Sequence, residues 1–172
     1  MLGEIQQEQR LRKIYLNIKE GRLIRHNEDH SETPFQYVDG CVEQIFQKER
    51  TFRGEKVLYW YIDMRDRESN ELYSLAFPYS SNVFKSIVLA LVSDEALTKD
   101  TVVRIEPYKR NGYDKVTVWS DGVKLDWIVK VLPPIEVVTF GSKSVKDDSK
   151  RMQFINNAVM VIQKRIGQMP QQ

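Results

Sequence analysis

Two clusters in this sequence mix positive charge with flat rings. Lys48, Arg50, Arg53 and Lys56 surround Phe52, and Lys109 and Arg110 stand between Tyr108 and Tyr113. Cations meet phosphates and flat rings meet unstacked bases, so this mixture suits a single-stranded nucleic acid. The alternating signs of Lys48, Glu49 and Arg50 are also what an inert solvated loop displays. The elements between the clusters have to decide whether they act together.

The segment 57–64, V-L-Y-W-Y-I-D-M, is the strongest strand former in the chain, with β-branched residues and three consecutive aromatics. Period-two alternation puts Leu58, Trp60, Ile62 and Met64 on one face as core, and Val57, Tyr59, Tyr61 and Asp63 on the other. Tyr59 and Tyr61 are therefore candidate platforms for bases. In 101–107 and 113–119 the same alternation turns Val103, Ile105, Val116 and Val118 inward. It turns Arg104, Tyr113, Lys115 and Trp119 outward, giving two further platforms (Tyr113, Trp119) and two cations to follow phosphates (Arg104, Lys115).

Other chemistry is weaker. His26 and His30 have a four-residue spacing that suits a metal on a helix, but they sit in a polar loop with no further ligands. Asp63, Asp66 and Glu68 spread across a strand end and a turn, which suits solvation better than a metal-dependent nuclease. Cys41 has no basic neighbour and reads as a buried strand residue. No phosphate-binding glycine loop or Gly-x-Ser-x-Gly elbow is present. We expect no enzyme activity, no metal and no cofactor.

The totals fit a single domain of 172 residues with appendages, at 41% hydrophobic and 29% charged. No apolar run is long enough to span a membrane, and the first ten residues lack the apolar core of a secretory leader. A lone cysteine excludes an internal disulfide framework and fits a reducing interior, so a cytoplasmic location is expected. The net charge of +2 is uneven: residues 35–127 carry −2 and residues 128–172 carry +4. Phosphate contacts must therefore come from local clusters, not from a generally basic surface.

In chain order, 13–26 reads as a β-hairpin turning at Glu20-Gly21, and 27–34 as a polar connector ending in Pro34. Residues 1–34 form an N-terminal extension. Residues 35–127 form the main domain: a long strand over 35–48 bent at Gly40, a charged loop, strands at 57–64 and 71–77, a helix capped by Ser80 or Ser81, then strands at 101–107, 113–119 and 123–127. The Asn111-Gly112 pair marks a hairpin. Residues 128–172 hold an irregular linker to 150, a final helix with a stripe of Met152, Ile155, Val159, Ile162 and Ile166, and a disordered tail.

Three strands, a helix and two strands, with a bent first strand, is the order of a five-stranded OB-fold barrel. The expected class is mainly β, with this barrel flanked by an N-terminal β-hairpin and a C-terminal helix. In this order, and in the runs K-V-L-Y-W-Y-I-D, F-P-Y-S-S-N-V-F-K-S-I and Y-D-K-V-T-V-W, the chain resembles single-stranded-DNA-binding proteins of phages and mobile elements. The resemblance implies strand binding without strong sequence preference, during replication or recombination, in a bacterial or phage-infected cell. Single-stranded DNA is the expected partner, with RNA an alternative and no membrane. The final helix offers a route to homo-oligomers. The rival expectation is an OB-like protein-interaction or assembly module that uses the same aromatic face and binds no nucleic acid.

Overall fold

The computed structural model of the chain describes residues 12–126 and 133–169. The expectations for the first eleven residues, for Trp127 and for the last three residues of the tail fall outside them. The strands are β1 (Lys13–Lys19), β2 (Arg22–His26), β3 (Glu32–Phe35), β4 (Val38–Phe52), β5 (Glu55–Arg65), β6 (Leu72–Pro78), β7 (Val102–Arg110), β8 (Tyr113–Ser120), β9 (Val123–Lys124), β10 (Glu136–Phe140) and β11 (Lys143–Asp147). Helix α1 (Asn82–Val92) lies between β6 and β7, and α2 (Ser149–Arg165) follows β11.

Nine strands make one mixed sheet in the order β3-β2-β1-β6-β5-β4-β7-β8-β9. This corrects the expected five-stranded closed barrel. The free edge of β6 is taken by β1, in parallel, with Lys13 opposite Leu72 and Leu16 opposite Leu75. Among the described residues no ladder joins β6 to β8. The N-terminal hairpin is thus part of the sheet, and the polar connector supplies a further strand, β3, paired with β2.

The sheet curls until its two sides touch. Three strands separate β1 from β7, yet the β1–β2 turn meets the β7–β8 hairpin. The Gly21 amide donates to Asp114 Oδ1 at 2.6 Å, and Lys109 pairs with Glu20. A Cβ on Gly21 would lie 2.8 Å from the Lys109 nitrogen, and its φ is +71°, so only glycine fits this closure. The expected bend in β4 is present as a register shift between Val42 and Gln44. Gly40 instead permits a close approach between strands, since a Cβ there would sit 3.0 Å from the Arg65 carbonyl oxygen.

The inner face of the curl is the core. Trp60, Ile62 and Met64 of β5, Leu75 and Phe77 of β6, and Val103 and Ile105 of β7 are buried there with α1. Ser81 caps α1, accepting from the Phe84 amide at 3.2 Å. Helix α1 is buried on nearly all sides because it packs against both β8 and α2. Met152, Ile155, Val159, Ile162 and Ile166 of the α2 stripe are all buried within this one chain, so that stripe is occupied before any second copy arrives.

Helix α2 also closes two backbone gaps. The ladder between β4 and β7 ends at Cys41, leaving the β4 edge open beyond it. There the Ile45 amide donates to Gln168 Oε1 at 2.8 Å, and Gln163 Nε2 donates to the Ile45 carbonyl at 2.8 Å. Arg165 Nη1 donates to the Val92 carbonyl at 2.6 Å, satisfying an orphan acceptor at the end of α1. The region expected as an irregular linker instead contains the β10–β11 hairpin, with Val137, Phe140 and Val145 exposed. No described helix is long and apolar enough to cross a membrane.

Candidate nucleic-acid interface

Residues directly opposite each other on paired strands share a face. Since Trp60, Ile62 and Met64 point inward, Tyr59, Tyr61 and Asp63 lie on the outer face. Register places Lys48, Phe46 and Gln44 of β4 beside them, Pro78, Ala76 and Ser74 of β6 on the other side, and Tyr15 of β1 beyond Ser74.

On this face cations and rings form one continuous stack. Lys13 Nζ lies 5.2 Å from the centroid of Phe46. Phe46 stacks on Tyr61, with centroids 5.2 Å apart and planes at 14°. The Arg50 guanidinium covers both Tyr61 at 5.4 Å and Tyr59 at 4.9 Å. Tyr59 and Tyr61 therefore do share a face away from the core, but their access differs. Tyr59 is half-buried, whereas Tyr61 is 3% exposed, enclosed between Phe46 and Arg50. Tyr61 supports the surface and offers no free ring to a ligand.

Beyond Tyr59 the outer face opens into a hollow of about 320 Å³, walled by Arg50, Tyr59 and Pro78 on one side and Asn17, Lys19 and His26 on the other. The second wall exists only because β1 and β2 extend the sheet past β6. Lys48, Arg50, Arg53 and Lys56 form no ion pair among the described residues. Phe52, 61% exposed, ends the hairpin with Arg53 5.3 Å over its ring.

The stack is anchored by a buried charge. Asp63 is fully buried, ion-paired with Lys13 at 2.9 Å, and accepts from Gln44 Nε2 at 2.6 Å. Its Oδ1 and the Ser74 hydroxyl opposite have no hydrogen-bond partner among the described residues. Lys13→Met would leave the carboxylate with Gln44 alone. It is expected to cost about 1–3 kcal/mol, the price of stranding a buried acceptor, read as a lower urea midpoint.

The remaining candidates form two separate groups. Arg104 makes a bidentate pair with Asp39 at 2.7 and 2.9 Å, and its guanidinium lies 3.9 Å from the Tyr37 ring. That carboxylate holds the guanidinium above its usual pKa and neutralises it, so Arg104 is a poor tracker of phosphate. Trp119 stands opposite Arg104, half-buried, beside a hollow of about 300 Å³, with no partner for its indole N–H among the described residues. At the β7–β8 tip, Tyr108, Arg110, Tyr113 and Lys115 are exposed, while Lys109 is committed to Glu20, whose carboxylate raises its pKa. Among the described residues no hydrogen bond, ion pair or ring contact links this tip to the β4–β5 hairpin.

Two members of the stack, Phe46 and Lys13, are not evident in the sequence. Phe46 continues the alternation of Lys48 and Arg50 because β4 runs unbroken to Phe52, past the end expected at 48. Lys13, Asn17 and Lys19 arrive through the parallel pairing of β1 with β6, which no local pattern announces.

The other sequence candidates have structural surroundings. Cys41 is buried, which pushes its thiol pKa up. His26 contacts Asn17 at 3.3 Å and Glu32 at 3.7 Å. Asp66 accepts the Glu68 amide at 2.9 Å within its turn. No group of three or more metal-ligating side chains is assembled among the described residues. Comparison with protein-family models, with curated proteins and with solved structures gives no match to this chain.

Proposed function

We propose that the chain binds single-stranded DNA along the outer face of β4 and β5, without strong sequence preference, as an OB-type module acting on strands exposed in replication or recombination. The observation that carries this reading is Arg50, in no ion pair among the described residues and set over Tyr59 at 4.9 Å and Tyr61 at 5.4 Å, beside an open hollow that it and Tyr59 line. A guanidinium so placed offers a charge to a phosphate next to a ring, Tyr59, that can face a base. Lys48 and Arg53 line the route along the hairpin, and Phe52 ends it; Lys56, in step with Trp60, points to the other face.

The order of β4, β5, β6, α1, β7 and β8 supports an OB-type ancestry, with β4 pairing to both β5 and β7 as the first barrel strand should. In that architecture the face of the second and third strands receives the ligand, and here those strands are β5 and β6. A protein-assembly role is favoured by the exposed Val137, Phe140 and Val145 of the β10–β11 hairpin.

Photo-crosslinking to oligo-dT, mapped by peptide mass spectrometry, tests the assignment. Crosslinks are expected within residues 46–61, centred on Tyr59. Crosslinks confined to β10 and β11 would contradict it.

A further inference from the structure

At the other end of β5 and β6, and on the other face of the sheet, lies a third hollow of about 350 Å³. Tyr73 stands opposite Met64 on the inner face, so this cavity is the mouth of the curled sheet. Its floor is apolar, made by Ile14, Leu16 and Val38. Its walls are three rings: Phe35, Tyr37 and Tyr73. Phe35 and Tyr37 are 41% and 45% exposed, so their rings are open to a ligand.

The rim is acidic. Asp39, Asp66 and Glu71 line the hollow against one cation, Arg25. Asp39 is already taken by Arg104, leaving Asp66 and Glu71 in excess. Glu71 accepts from the Tyr73 hydroxyl at 2.6 Å, and burial together with that carboxylate pushes the Tyr73 pKa up to about 12. The phenol is thus a neutral donor to a fixed carboxylate. Tyr37 already carries one cation, because the Arg104 guanidinium lies 3.9 Å from its centroid without lining the hollow.

We propose that this hollow takes the arginine or lysine side chain of a partner protein. Such a side chain is apolar along its stem and charged at its head. The stem matches Ile14, Leu16 and Val38; the head meets aromatic faces and carboxylates, where ring quadrupole and charge both attract it. A nucleic acid is disfavoured, since phosphates would meet Asp66 and Glu71. The site is independent of the strand-binding face, so both can be filled at once.

The test is a titration of the intact protein, followed through the ring signals of Phe35, Tyr37, Tyr73 and, as a control, Tyr59. The probes are capped Gly-Arg-Gly, capped Gly-Lys-Gly, the isosteric capped Gly-norleucine-Gly, and putrescine. Both cationic peptides are expected to shift the three cavity rings saturably and to leave Tyr59 in place. Glu71→Gln, a surface change that should leave the fold intact, is expected to weaken them by roughly up to fivefold, the worth of an exposed ion pair. Equal shifts from the norleucine peptide would overturn the proposal, leaving an apolar hollow only. Putrescine binding more tightly than either peptide would overturn the assignment to a protein side chain, and unmoved cavity rings would overturn the site itself.

Discussion

Tyr59→Ala is expected to weaken oligo-dT binding by roughly fivefold to a hundredfold, with little change in melting temperature. The magnitude is that of one lost base platform, about 1–3 kcal/mol. Tyr59 is the ring of the stack that both carries Arg50 and borders the open hollow. Removing it takes away the stacking surface and one of the two rings that the Arg50 guanidinium rests on. Tyr61→Ala is the instructive contrast. Because Tyr61 is 3% exposed and packed on Phe46, its loss is expected to lower stability as well, so a binding defect there would not by itself report a contact. Equilibrium titration combined with thermal melts separates the two variants. Unchanged affinity in folded Tyr59→Ala would remove this ring from the interface.

Phe84→Ala is expected to cost about 3–5 kcal/mol, among the larger effects a single core truncation produces. Phe84 is fully buried at the start of α1, stacked on Trp60 at 4.7 Å and tilted against Phe77 at 5.6 Å. It therefore joins the helix to the inner faces of β5 and β6 at once, and a cavity there has aromatic walls that cannot readily collapse. For a chain of this size the melting temperature should fall by roughly 10 °C. The fraction still folded should bind oligo-dT normally, since the outer face of β5 does not contact Phe84. A loss below about 1 kcal/mol would show that α1 is not held through this aromatic cluster.

The faces of β5 were legible because a strand alternates strictly, and the segment 57–64 places its bulkiest residues in register with that period. The face assignment of Val103 and Ile105 against Arg104 was legible for the same reason. The burial of Tyr61, Asp63 and Ser74 was not, since alternation states which way a side chain points and not what covers it. Phe46, Arg50 and Lys13 do the covering, and Lys13 reaches Asp63 across a parallel pairing between β1 and β6 that loop signals cannot reveal. The same pairing explains why barrel closure was misjudged: the edge of β6 was taken by an element read as an appendage. The β10–β11 hairpin escaped notice because the adjacent Val137 and Val138 break strict alternation, and no partner buries either face to impose it. For α2, the spacing identified the apolar stripe but left its occupant open; Gln163, Gln168 and Arg165 fix it to Ile45 and Val92 of the same chain.

The most direct measurement is the anisotropy of fluorescein-labelled oligo-dT titrated with the protein at several salt concentrations. Binding at low salt is expected, with log affinity falling linearly in log salt by about 0.7 per phosphate met. If Lys48, Arg50 and Arg53 all meet phosphates, the slope should be roughly −2. No binding at low salt, or an affinity indifferent to salt, would contradict a strand-binding face built on these cations.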